Sequence, residues 1–150
     1  MSPVVVTRRA GWLLIAAGLL VVLGSFLPWV NCSTVGCDSP LQSLDQLSGV
    51  TIGVGWLTAI SGVVLIGLGW WAVRGPFDDR GARAAVATGL LVTFAAIVTV
   101  VVVVALAIAD TELSVRSPGL GVIVVGIGGA VAAILGWWLR GILRRSGVPT

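Results

Sequence analysis

The sequence predicts an all-α membrane protein, a bundle of four antiparallel transmembrane helices whose N and C termini are both cytoplasmic. Of the 150 residues, 57% are hydrophobic and 10% are charged, and the mean hydropathy is +1.10. Such a chain has too little polar surface to enclose itself as a soluble domain. A hydrocarbon core about 30 Å thick needs roughly 20 apolar residues in a helix. Charge-free stretches of about that length occur at residues 10–27, 49–73, 84–109 and 119–139, so residues 1–150 are predicted to form one transmembrane domain.

The third span contains a valine-rich run at residues 98–104, which in water would favour a β-strand. In lipid an open strand cannot satisfy its backbone hydrogen bonds, and the span is far too long for a strand of a membrane barrel. Amphipathicity at the helical period is weak in all four spans, as expected where lipid and neighbouring helices are both apolar. All four spans are therefore predicted to be helices.

Arginine clusters alternate with the spans and predict the orientation of the chain. Eight of the nine arginines lie before the first span, between the second and third, or after the fourth, and with two aspartates they give this side a net charge of +6. The opposite side carries Arg116 against four carboxylates, a net charge of −3. Because cytoplasmic loops are enriched in Arg, the arginine side is predicted to be cytoplasmic. Five tryptophans lie at the same ends of the spans, where their rings settle at headgroup level. They are Trp12, Trp70, Trp71, Trp137 and Trp138.

Small residues recur every seven positions within the spans. This spacing keeps one stripe facing a neighbouring helix along a left-handed crossing and lets the two backbones approach closely. Packing within the chain is the commoner explanation of such stripes, and a site for a partner helix is the alternative. The helix-packing residues predicted in this way include Gly18, Gly55, Gly62, Gly69, Gly89, Gly126, Gly129 and Gly136.

The outer loop at residues 28–48 is the one sizeable segment outside the membrane. Pro28 predicts the end of the first helix and places Trp29 at the outer interface. Ser39, Pro40 and Gln42 form a helix-start signal, and leucines recur on one face of the segment that follows, so a short amphipathic helix is predicted on the outer surface. This helix is either a plug on the bundle or a recognition element. The candidate outer-surface interaction residues are Trp29, Gln42, Asp45 and Gln46.

Cys32 and Cys37 are the only cysteines of the chain, and both fall on the predicted outer, oxidising side. A disulfide that closes a tight turn is the expected state. The alternative is a redox-active pair, as in membrane thiol oxidases. Those enzymes use a closer Cys-x-x-Cys pair, a second pair and a quinone, and this sequence has neither the closer spacing nor the second pair.

The spans contain no Asp, Glu, Lys, Arg or His, which argues against ion-coupled transport or a proton relay. The chain has no His and no Met beyond Met1, so haem, most transition metals and a Ser-His-Asp triad lack their ligands or residues. The glycine-rich stretch at residues 126–129 lies inside a span, where it would cradle no phosphate. We therefore predict no catalytic, cofactor-binding or metal-binding residues, and no cofactor.

The stretch Ser-Phe-Leu-Pro-Trp-Val at residues 25–30, followed by a short loop and Gly-Val-Gly-Trp at residues 53–56, resembles small four-span membrane proteins of actinobacteria that mostly lack an assigned function. Trp29, Cys32 and Cys37 are also similar to the outer-loop signature of claudins. Claudins place Gly-Leu-Trp before the first cysteine, space the pair more widely and build a sheet from a longer loop. These resemblances imply a four-span architecture, and paracellular adhesion is not carried over.

Three functions follow as hypotheses. The first is an accessory or scaffolding membrane protein that associates with itself or with a larger membrane complex, because small-residue stripes occur without catalytic residues. The second is binding or transport of a lipid or apolar small molecule, and the third is a membrane thiol-disulfide oxidoreductase. The expected partners are membrane lipids and another membrane protein or a second copy, with no nucleic acid. Abundant Ala, Val, Gly and Arg without Lys, Tyr or His are typical of a GC-rich bacterial gene, which predicts the inner membrane as the location.

Overall fold

Four helices and two short strands make up the computed structural model, which describes residues 3–33, 54–75, 78–109 and 115–145. The predicted four spans are confirmed, because each helix is long and apolar enough to cross a membrane. The valine-rich run of the third span is helical. In chain order the elements are α1 (Pro3–Phe26), β1 (Val30–Ser33), α2 (Val54–Arg74), α3 (Asp79–Ala109), β2 (Val115–Pro118) and α4 (Leu120–Arg145).

The helices continue past the apolar spans at the end of the bundle that carries the arginines. Here α1 and α3 begin before their predicted spans, and α4 continues to Arg145. The Oδ1 atom of Asp78 accepts a hydrogen bond from the backbone N–H of Gly81 at 2.9 Å, which caps α3 before its first turn. Arginines in the last turn of α4 complement its helix dipole. Charged residues therefore sit on helical turns outside the apolar region.

Neighbouring helices are antiparallel, and their order across the bundle is α2, α1, α4, α3. The α1 helix packs against both α2 and α4, and α3 packs against α4. The α2 and α3 helices make a much smaller contact than these three neighbouring pairs. We call the end where α1 and α3 begin the arginine end. The opposite end, where the β1–β2 ribbon lies, is the ribbon end. The N-terminus of α1 and the C-terminus of α4 both lie at the arginine end.

The interior is built from small aliphatic side chains, with Leu14, Leu65 and Leu139 among its largest buried members. The outward faces carry exposed large hydrophobic side chains, as expected where lipid is the solvent. In an apolar 18-residue stretch of α3 only 22% is buried inside the protein, compared with 44% in that of α1. Of the four spans, α3 is therefore the least buried along this stretch.

An antiparallel pair of strands links the ribbon ends of α1 and α4. The register places Val30 opposite Pro118 and Cys32 opposite Arg116. The backbone N–H groups of Gly119 and Gly121 donate hydrogen bonds to the carbonyl oxygens of Trp29 and Pro28, at 2.7 and 3.0 Å. The chain that leaves α1 thereby satisfies N–H donors at the start of α4 that have no partner inside that helix. This ribbon was not predicted from the sequence.

The helix pairs α1–α2 and α3–α4 are two copies of one hairpin. The stretch Gly-Leu-Leu-Val at residues 18–21 of α1 recurs at residues 89–92 of α3. The stretch Gly-Trp-Trp at residues 69–71 of α2 recurs at residues 136–138 of α4. The first motif lies in the first helix of each hairpin and the second motif near the end of the second helix. The chain therefore contains an internal repeat.

The contacts of the two hairpins repeat along with the sequence. In each hairpin the two backbones approach at two points seven residues apart on the second helix, so that a methyl group added at a contacting glycine would meet backbone atoms of the other helix. Seven-residue spacing is the repeat of a left-handed crossing between helices. The paired positions are Gly11 with Gly69 and Gly18 with Gly62 in the first hairpin, and Ala82 with Gly136 and Gly89 with Gly129 in the second.

Candidate functional site

The seam between α1 and α2 is closed along its length by close backbone contact. A methyl group at Gly18 would lie 2.7 Å from the carbonyl oxygen of Gly62, and one at Gly62 would lie 2.9 Å from the carbonyl oxygen of Gly18. Such distances leave no room for any side chain beyond hydrogen. Of the predicted packing residues, six face another helix of the same chain in this way, so these glycines are not exposed to a partner helix. They are Gly18, Gly62, Gly69, Gly89, Gly129 and Gly136.

Two buried hydroxyls join α1 and α2 near the ribbon end. Ser25 Oγ and Thr58 Oγ1 lie 2.8 Å apart. Each is also within hydrogen-bond distance of a carbonyl oxygen of its own helix, Ser25 with Val21 at 2.8 Å and Thr58 with Gly55 at 2.9 Å. Two hydroxyl protons cannot serve three contacts at once, so one hydroxyl donates across the seam while the other donates to its own helix. Gly55, another predicted packing residue, is buried at this position.

An apolar groove of about 360 Å³ opens between α3 and α4, toward the ribbon end. The two helices touch at Gly89 and Gly129, whereas a methyl group at Gly126 would make only an ordinary contact, 3.4 Å from the Cβ of Ala96. The helices therefore separate on this side, and Gly126 lies in the floor of the groove. The described residues that line it are Thr93, Ala96, Ile97, Val100, Val101, Val122, Ile123, Gly126 and Ile127.

The chemistry of this groove is that of an apolar surface. None of the lining residues is charged. The hydroxyl of Thr93 donates a hydrogen bond to the carbonyl oxygen of Gly89 at 2.8 Å, so its donor is already engaged by its own helix. The groove can accept apolar side chains or an acyl chain by shape. It holds no lining group that could activate a substrate.

A buried carboxylate connects α3 and α4 at the arginine end. Asp79 stands in the first turn of α3, and its side chain is 8% exposed. Its Oδ2 accepts a hydrogen bond from Nε of Arg83 at 2.7 Å, and its Oδ1 lies 3.3 Å from Nε of Arg140 on α4. The contact with Arg140 is an ion pair without hydrogen-bond geometry. The two neighbouring aspartates thus have different roles, because Asp78 caps α3 and Asp79 is buried.

The prediction that Trp29 offers an outer surface to a partner is wrong. Its side chain is fully buried. The ring Nε1 donates a hydrogen bond to the carbonyl oxygen of Gly24 at 2.9 Å, and a methyl group at Gly121 would lie 2.6 Å from the ring Cδ1. Because Pro28 ends α1, the chain turns back and the indole fills the space between α1 and the start of α4. Trp29 acts as a plug inside the ribbon end.

The other outer-loop predictions fall largely outside the described residues. Gln42, Asp45, Gln46 and Cys37 lie outside the described residues, as does the predicted amphipathic helix. Cys32 lies in β1. The disulfide and the surface helix therefore stay predictions.

Within the described ranges there is no group of three or more His, Cys, Asp or Glu side chains that could hold a metal ion. Comparisons with protein-family models, curated proteins and solved structures gave no match. The candidate site is therefore defined by geometry alone, as an apolar groove between α3 and α4 that is open to molecules in the membrane.

Proposed function

We propose that this chain is an accessory or scaffolding membrane protein, which associates with itself or with a larger membrane complex through the groove between α3 and α4. The observation that carries the proposal is the groove itself, about 360 Å³ of apolar space on the face of the bundle. Six of the eight predicted stripe glycines already pack against the other helix of their own hairpin, whereas Gly126 makes only an ordinary contact there. Gly126 lies in the groove, which therefore supplies the surface for a partner.

The shape of the groove suits the side chains of another helix. Its floor contains Ala96 and Gly126, and the exposed side chains of Ile97 and Ile127 form its walls. Helices pack by placing a ridge of side chains into a groove of this kind. In lipid, where the hydrophobic effect favours no association between apolar surfaces, such van der Waals fit supplies much of the driving force.

The arginine end faces the cytoplasm of a bacterial cell, since eight arginines lie on that side. The groove then opens in the outer half of the bilayer. A partner would reach it laterally, through the membrane.

Photo-crosslinking from the wall of the groove tests the proposal. A photoreactive amino acid replaces Ile127, which is 55% exposed, and in a matched variant it replaces Ile60 of α2, which is 58% exposed. Both positions lie near the ribbon ends of their helices. We expect Ile127 to crosslink to a protein, either a second copy or another membrane protein, and Ile60 to yield lipid adducts.

Binding of a lipid or apolar small molecule in the same groove is the second candidate function. The absence of charge from the groove lining suits an acyl chain as well as a helix. Lipid or small-molecule adducts at Ile127, distinct from those at Ile60 and without any protein adduct, would favour this alternative. Identical bulk-lipid adducts at both positions would remove both functions from the groove.

A further inference from the structure

A second pocket, of about 230 Å³, lies on the last turns of α4 at the arginine end. Two tryptophans, Trp137 and Trp138, line it and are 70% and 51% exposed. Gly141 also lines it, and a methyl group there would meet nothing within 4 Å. Arg145 completes the pocket as an exposed residue at the end of the helix. Aromatic rings, open space and a guanidinium are thus combined at one place.

The equivalent position of the first hairpin carries an arginine, whereas this pocket has a glycine there. In α2 the fifth residue after the glycine of Gly-Trp-Trp is Arg74, and its guanidinium carbon lies 4.1 Å from the centroid of the Trp70 ring. In α4 the equivalent position is Gly141. The first hairpin therefore covers its tryptophan with its own arginine, whereas the second leaves the space open and carries Arg145 one turn further along.

We propose that this pocket binds the head group of an acidic phospholipid. Arg145 contacts the phosphate, and Trp137 and Trp138 lie along the glycerol backbone and the first acyl carbons. A guanidinium matches the geometry of a phosphate, and indole rings favour the boundary between head groups and hydrocarbon.

Charge selects an acidic lipid over a zwitterionic one. The arginine side carries a net charge of +6. The lining of the pocket contains no carboxylate that could bind a cationic head group. The nearby carboxylate of Asp79 is buried and already paired with Arg83 and Arg140. The surrounding field therefore favours a net negative ligand.

Native mass spectrometry of the full chain in detergent tests the site. The protein is titrated with phosphatidylglycerol or phosphatidylcholine of the same acyl chains. We expect the first phosphatidylglycerol to bind with roughly tenfold higher affinity than the first phosphatidylcholine, because of its charge-assisted contact with Arg145. Gly141→Leu, which fills the pocket, and Arg145→Gln should each abolish this preference. Gly67→Leu and Arg80→Gln are the matched controls, because Gly67 also has nothing within 4 Å of an added methyl group and Arg80 is another exposed arginine at the same end.

Three outcomes would overturn the proposal. Equal losses from Arg80→Gln and Arg145→Gln would show attraction to the diffuse charge of the arginine end. A Gly141→Leu variant that keeps the wild-type preference would show that the lipid lies elsewhere. Displacement of the lipid by millimolar inorganic phosphate would identify a site for small anions. Circular dichroism measures the helical content of each variant. If Gly141→Leu fails to fold, the proposal is tested by Arg145→Gln, which lies on the exposed last turn of α4.

Discussion

Gly18 and Gly62 face each other so closely across α1 and α2 that a methyl group on either would lie less than 3 Å from the carbonyl oxygen of the other. A similar contact occurs in the second hairpin, where a methyl group at Gly89 would lie 2.7 Å from the carbonyl oxygen of Gly129, and one at Gly129 would lie 2.9 Å from the backbone nitrogen of Thr93. Two helices can approach in this way only where the facing residues are small. The internal repeat has therefore kept its points of closest contact.

Gly18→Ala should destabilise the protein by about 1 to 3 kcal/mol, because the added methyl group forces the two backbones apart. Gly89→Ala should have a similar effect in the second hairpin. The control is Gly67→Ala, for which the space is open and alanine is the better helix former. Thermal unfolding in lipid nanodiscs measures all three. Equal stability of the Gly18 and Gly67 variants would contradict the close contact.

The four spans and much of their packing could be predicted because both depend on local patterns. Charge-free length identifies a span, and seven-residue spacing identifies a stripe such as Gly62 and Gly69. Gly126 shows the limit of this reasoning, since it fits the stripe by spacing but lies in the groove. Whether two helices touch at a given glycine depends on how they diverge, which spacing alone does not determine.

Features that join distant parts of the chain were not predicted. The β1–β2 ribbon, the burial of Trp29 and the approach of Asp79 to Arg140 each require knowledge of which helix ends are neighbours. The repeat itself is visible in the sequence, as Gly-Trp-Trp at residues 69–71 and 136–138. Aligning the two hairpins on this motif places Gly141 at the position of Arg74. This difference between the hairpins can therefore be found from the sequence alone.

Asp79→Asn should lower the melting temperature more than Asp78→Asn. Both substitutions remove one negative charge at the arginine end. The amide of Asp78→Asn would still cap α3, since asparagine and aspartate cap equally well. The amide of Asp79→Asn would instead leave the buried Nε of Arg140 without its counter-charge. Differential scanning fluorimetry of both variants tests this. Coupling between Asp79→Asn and Arg140→Gln in a double-mutant cycle should be measurable, and strict additivity of the two substitutions would argue against the ion pair.

Trp29→Ala should cost about 3 to 5 kcal/mol, the range for removing a buried aromatic side chain. Trp29→Phe keeps much of the volume and loses the hydrogen bond to Gly24, so its cost should be about 0.5 to 1.5 kcal/mol. Trp56→Ala is the matched control, because Trp56 is 57% exposed on the lipid side of α2. Unfolding experiments in nanodiscs should rank the three variants in this order. A Trp29→Ala variant as stable as Trp56→Ala would show that the indole does not fill the ribbon end.

Cysteine labelling tests the proposed orientation. In a background with Cys32→Ser and Cys37→Ser, single cysteines are introduced at Ser2, Thr111 and Ser146. A membrane-impermeant thiol reagent applied to intact cells should label Thr111→Cys and leave the Ser2 and Ser146 variants unmodified until the cells are opened. Labelling of either terminal variant in intact cells would reverse the proposed topology and place the acidic-lipid site in the outer leaflet.

Cys32 and Cys37 are predicted to form a disulfide that acts as a local constraint. Cys32 lies in β1 opposite Arg116, and the ribbon reaches α4 through the hydrogen bond from Gly119 to Trp29. A disulfide that closes so short a loop removes little entropy from the unfolded chain, worth about 2 to 3 kcal/mol by the loop-closure relation. The hairpins are held by their own glycine contacts, which do not involve the ribbon. Reduction should therefore accelerate amide exchange at residues 30–48 while the four helices stay protected. The Cys32→Ser, Cys37→Ser variant is the control, and its exchange should not respond to reductant. Loss of helix protection on reduction, or exchange at residues 30–48 that ignores the redox state, would refute the predicted bridge as a local constraint.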